Sequence, residues 1–197
     1  MPYVLLLHGH MGAPPPHWQS WLAHELAETG CVVEVPQLSE PDRPRLDLWL
    51  AELAHHLEAV PADDDERIVL AHSCGALLWL HHAARLVDGE RQPLRFDRAM
   101  LVSPPGPRWH HPDVHGFTPA PLDPAGVRRA AGWTQLVAGD DDAACSVDEA
   151  VDMASALKVD LDIIPGGAHL DGHAGYGPWP AVRDWVADRH TRMVTNR

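Results

Sequence analysis

A chain of 197 residues that is 45% hydrophobic can bury one good core, which sets the expectation of a single domain over residues 1–197. Its 15 Lys and Arg against 28 Asp and Glu leave a formal charge of −13, and this argues against nucleic acid or an anionic membrane as partner, because phosphate contacts rest on Lys and Arg. There is no charged leader before an apolar core and no apolar run of about 18 residues, so neither a signal peptide nor a membrane span is expected.

Strand and helix signals alternate along the chain, the pattern of a parallel sheet covered on both faces. Tyr3 to Leu7 reads as the first strand and runs into His8-Gly9-His10-Met11-Gly12. Trp18, Trp21, Leu22 and Leu26 recur at helical spacing up to a stop at Gly30, and Cys31 to Val35 follows as a second strand. Leu46, Trp49, Leu50, Leu53 and Leu57 mark a second helix ending near Pro61. Arg67 to Ala71 is a third strand, which turns at His72-Ser73-Cys74-Gly75 into a helix. Arg98 to Val102, Thr134 to Ala138 and Val159 to Ile164 are strands four to six, with further helices near Val147 to Leu157 and Pro180 to His190. The expected fold is a compact α/β three-layer sandwich around six parallel strands in the order 2-1-3-4-5-6, without a large lid. Ser103 to Gly132, with seven prolines and Trp109, His110, His111 and Phe117, is the one long irregular segment, placed by its position as a wall of a cleft.

The turn at Ser73 carries the chemistry. A serine at the apex of a strand-turn-helix, with small residues Ala71 and Gly75 two positions to either side, is the layout of a nucleophile elbow; Ala71 replaces the first glycine of Gly-x-Ser-x-Gly. A hydroxyl becomes a useful nucleophile only when a histidine takes its proton and a carboxylate fixes that histidine. In this architecture both follow the serine past the ends of later strands, acid first. Strand five runs into Asp140-Asp141-Asp142 and strand six into Pro165-Gly-Gly-Ala-His169, so His169 is the base and three adjacent aspartates compete for the acid. An oxyanion needs preorganised N–H donors. The amide of Cys74 is one, and His10 is the preferred second, with Met11 next to it.

Together, His8-Gly9, His17-Trp18, Trp21-Leu22, Pro36, Trp49, His72-Ser73-Cys74-Gly75-Ala76, the Asp142 region, His169 and Gly175-Tyr-Gly-Pro-Trp-Pro180 resemble the small α/β-hydrolase-superfamily enzymes of the retinoblastoma-binding-protein-9-like or YdeN-like family. The resemblance implies Ser73, Asp142 and His169 as the triad, which leaves Asp140 and Asp141 as turn and N-cap acids. Two departures stand out: Ala143-Ala144 where the family has a proline and an aromatic residue after the acid, and Ala168 where it has glycine before the histidine.

The expected activity is a serine hydrolase, carboxylesterase-like, cleaving an ester or amide bond of a small molecule through an acyl-enzyme. Neither cofactor nor metal is expected, since none of the pairs among the 15 histidines has a recognisable third ligand. Cys31, Cys74 and Cys145, an odd count without metal-like spacing, suit a reduced cytoplasmic compartment. The single lysine, Lys158, among many Ala and Arg suggests a GC-rich bacterial genome. Cys74, at a helix N-terminus, is expected to have a lowered thiol pKa. His72 is expected to pack at the elbow, and Trp179 to stand out from the otherwise core tryptophans. Two other readings use the same residues: an interaction module that keeps the fold, for which no protein partner is specified, and a peptidase, whose mark would be an acidic cleft residue contacting a free amino terminus.

Overall fold

The structure, a computed structural model, describes residues 1–60, 66–87 and 94–195. Six strands form one parallel sheet in the order β2-β1-β3-β4-β5-β6, as the alternating pattern predicts. They are β1 (Tyr3–Leu7), β2 (Val32–Glu34), β3 (Arg67–His72), β4 (Phe96–Val102), β5 (Ala131–Gly139) and β6 (Asp160–Ile164). The helices are α1 (Trp18–Glu28), α2 (Leu46–Glu58), α3 (Cys74–Arg85), α4 (Pro124–Ala130), α5 (Val147–Leu157) and α6 (Pro180–Ala187).

Side chains alternate across each strand, so the sheet has two apolar faces and needs helices on both. Leu5 and Leu7 of β1 and Val69 and Ala71 of β3 face a core shared with Trp49 of α2, Trp79 of α3, Val127 of α4 and Met153 of α5. Val4, Leu6, Ile68 and Leu70 face the opposite core, filled by Trp18 and Leu22 of α1 and Trp179 and Trp185 of α6. The helices after β1 and β3 therefore lie on opposite faces, and a crevice opens above the carboxyl ends of these neighbouring strands, where ligands bind in open α/β sheets.

Several boundaries differ from the sequence reading. β2 is shorter than Cys31 to Val35, α6 ends at Ala187 before His190, and Pro61 lies outside the described residues. The segment Ser103 to Gly132 is not irregular throughout, because α4 occupies its end and β5 begins at Ala131. Asp123 caps α4 by accepting the Ala125 amide at 3.0 Å, and Pro124 takes the first helical turn, where a missing N–H costs nothing. Trp179 belongs to the core, against Trp18 and Tyr176, with its Nε1–H donated to the Val194 carbonyl.

A buried arginine ties the last helix to the sheet. Arg98 donates to Glu66 and to the carbonyls of Trp185 and Val186 in the last turn of α6, whose free acceptors and negative dipole end a guanidinium suits. No helix among the described residues is long and apolar enough to cross a membrane.

Candidate active site

Each element of the site sits just past the carboxyl end of a strand. Ser73 follows β3 with φ 54° and ψ −123°, backbone angles an L-residue adopts only when its surroundings enforce them. The Ser73 amide is held by the Val102 carbonyl of β4 at 2.9 Å, while its own carbonyl accepts the amides of Ala76 and Leu77. Two glycines clear the space. A Cβ on Gly75 would lie 2.4 Å from the Leu7 carbonyl oxygen, and one on Gly9 would lie 2.7 Å from Ser73 Cβ. Ala71 is accommodated as a fully buried residue of the sheet face, so the first glycine of the elbow pattern is dispensable here.

The structure brings Ser73, His169 and Asp142 into one hydrogen-bonded chain. His169 Nε2 lies 2.9 Å from Ser73 Oγ, and His169 Nδ1 lies 2.8 Å from Asp142 Oδ2. The Asp142 side chain is 1% exposed, and its other oxygen accepts the Ala144 amide at 2.8 Å. Ala144 thus gives the acid a fixed orientation without the proline and aromatic residue found there in the family. Asp140 and Asp141 hold the histidine loop instead: Asp140 Oδ1 accepts the Gly166 amide at 2.7 Å and Asp141 Oδ1 the Ala168 amide at 2.6 Å. Neither is an N-cap, since Ser146 caps α5 in a capping box with Glu149.

Ala168, where the family has glycine, is left-handed with φ 45°. Such a conformation costs an L-residue about 1–2 kcal/mol, so Ala168→Gly is expected to stabilise the fold by about 0.5–1 kcal/mol after glycine's own entropic cost. A rise in Tm of a few degrees on thermal melting would show it, and a fall would mean that this backbone is not strained.

The expected oxyanion donors differ in their backbone partners. The Met11 amide is spent on the Pro41 carbonyl at 2.6 Å, whereas among the described residues no backbone carbonyl takes the amides of His10 or Cys74. The His10 side chain is anchored, with Nε2 3.1 Å from the Asp42 carbonyl oxygen and its ring 4.5 Å from that of His111. Trp109 stacks on His111, so the proline-rich segment reaches the loop that carries His10, the expected oxyanion donor, as a wall. Burial pushes the Cys74 thiol up to about 11, against the backbone amides of His10 and Cys74 and the Ser73 side chain, whose hydrogen bonds lower it.

Sequence reasoning missed what His72 and His17 do. His72 does not merely pack, since its Nε2–H donates to the His169 carbonyl at 2.9 Å and its ring sits 4.8 Å from that of His17. His17 caps α1 by accepting the Gln19 amide on Nδ1. Burial holds His72 well below the usual imidazole range, and burial lowers His17 to about 4. The unfolded chain binds protons at these rings that the folded chain refuses, so their contribution is intact above pH 6.5 and is lost as the pH falls from there toward about 4. Thermal melts are expected to show Tm falling over that window, with a smaller fall in His17→Asn; an unchanged slope in the variant would contradict the assignment.

Among the described residues, no group of three or more His, Cys, Asp or Glu side chains is arranged to hold a metal ion.

The comparisons with known proteins agree with this architecture. YdeN of Bacillus subtilis (strain 168) is 23% identical over 184 residues, 92% of each chain, and its crystal structure superposes with a TM-score of 0.80 over 95% of this chain and 97% of that one. A YdeN-like protein of Pectobacterium atrosepticum SCRI1043 is 22% identical, with a TM-score of 0.72 over 95% of this chain and 90% of that one. Est1E of Butyrivibrio proteoclasticus is 18% identical, with a TM-score of 0.65 over 95% of this chain and 88% of that one. The serine hydrolase family model matches residues 4–188, nearly the whole chain, and the chain therefore belongs to the serine hydrolase family, with the α/β fold it shares with YdeN.

Proposed function

We propose that the protein hydrolyses a carboxylic ester, or an amide of the same shape, in a small substrate through an acyl-enzyme on Ser73. The observation that carries this reading is the continuous chain from Asp142 through His169 to Ser73 Oγ, with both hydrogen bonds at 2.8–2.9 Å and the serine held at the apex of a strained turn. His169 Nε2 takes the hydroxyl proton as Oγ attacks the carbonyl carbon. The carbonyl oxygen becomes an oxyanion between the His10 and Cys74 amides, and Asp142 stabilises the imidazolium through Nδ1–H. Collapse expels the alcohol or amine, which takes its proton from His169; a water then enters, gives its proton to His169 and releases the acid. The three free thiols support a reduced, cytoplasmic setting for this chemistry.

A short-chain nitrophenyl ester tests the proposal. The expected result is a burst of about one nitrophenolate per chain followed by slower turnover, the signature of an accumulating acyl-enzyme. Release no faster than in a mock preparation would overturn it.

A further inference from the structure

The mechanism leaves unused a cleft of about 460 Å³ that shares His10 with the site and lies between residues 10–17 and residues 171–173. We propose that this cleft seats the substrate's leaving group and that Asp171 selects leaving groups carrying a positive charge, in the class of cationic alcohols and thiols; this rests on the acyl-transfer reading above.

Stereochemistry places the leaving group here. In the tetrahedral intermediate the oxyanion faces the His10 and Cys74 amides, and the departing atom must face His169 Nε2, its proton donor. The departing part therefore extends into the space bounded by the oxyanion loop and the histidine loop. The cleft has both as walls: His10 lines it, and Asp171 lies two residues beyond His169. His17, also in the lining, touches the ring of His72, which holds the His169 carbonyl.

The lining states the chemistry. Pro14, Pro15, Pro16 and Met11 give an apolar surface, and among the described lining residues Asp171 is the one carboxylate, with no Lys or Arg to neutralise it. Asp171 Oδ1 accepts the Ala174 amide at 2.8 Å, and among the described residues its second oxygen has no hydrogen-bond partner. An apolar stem with a cationic head satisfies the proline wall and the carboxylate together. Because the cleft is on the leaving-group side, the amine it receives departs with the alcohol, unlike the acyl-side amine of an aminopeptidase substrate.

The test uses two thioacetates of equal shape, acetylthiocholine and S-(3,3-dimethylbutyl) thioacetate, each kcat/KM being divided by that ester's hydroxide-catalysed rate constant because the ammonium also lowers the pKa of the departing thiol. Wild type is expected to favour the cationic one by about tenfold in this normalised kcat/KM, a size ordinary for one charge pair in a partly solvated cleft. Asp171→Asn, whose amide oxygen still holds the Ala174 amide, is expected to bring the ratio to within about twofold of one, whereas Glu28→Gln on the exposed end of α1 keeps it, which separates Asp171 from the general pull of a chain of charge −13. Hydrolysis of both esters at equal normalised rates in wild type, or a preference that survives in Asp171→Asn, would overturn the leaving-group site and leave the hydrolase reading standing. No hydrolysis of either ester and no acylation of Ser73 would overturn both.

Discussion

Ser73→Ala is expected to lower kcat/KM for a short-chain ester by about 10⁴- to 10⁶-fold, to the background left by the oxyanion donors and binding alone. The substitution removes the atom that attacks and leaves His169 without its partner at 2.9 Å, but it asks nothing new of the backbone. Alanine is no worse than serine at φ 54°, and the hydrogen bond from the residue 73 amide to Val102 is made by the main chain. The variant is therefore expected to melt within about 2 °C of wild type, since the change removes one hydroxyl and its hydrogen bond to a half-buried histidine. Activity that persists above a mock preparation would mean that another residue is the nucleophile.

Asp142→Asn is expected to cost about 10⁴-fold in kcat, and the reason is geometric as much as electrostatic. One carboxylate oxygen accepts the Ala144 amide and the other faces His169 Nδ1. An asparagine has only one oxygen, and the Ala144 amide claims it. The NH₂ group is then turned toward His169, which must accept on Nδ1 and carry its proton on Nε2, the tautomer that cannot take a proton from Ser73. Asp141→Asn is the matched control. Asp141 supplies one acceptor to the Ala168 amide, and asparagine still supplies it, so a loss of less than about tenfold is expected. If the Asp141 variant were the more damaged in steady-state kinetics, the acid would have to be reassigned.

The sheet was legible because its strands are short β-branched and leucine runs between helical stripes, and six parallel strands with helices on both faces leave few alternative orders. The helix α4 was not, since Asp123-Pro124, a sound helix start, sits within a run of prolines that reads as irregular throughout. At the site, elbow, acid turn and histidine loop were each visible as a strand end followed by a reactive residue. What distinguishes the close alternatives is tertiary: the Pro41 carbonyl takes the Met11 amide, and cross-loop hydrogen bonds tie Asp140 and Asp141 to the histidine loop. The Cys74 thiol was misjudged because helix position was weighed without burial. His72 and Arg98 act on residues 97 and about 87 positions away in the chain, a separation no local pattern reports.

The central claim is that Ser73 is an activated nucleophile whose activation depends on His169. Labelling with a fluorophosphonate, followed by mass spectrometry of the modified peptide in wild type and His169→Ala, tests it directly. The account predicts one adduct, on Ser73, that forms in wild type and is lost in the histidine variant. No adduct on folded wild-type protein, or an adduct that forms equally in His169→Ala, would contradict it.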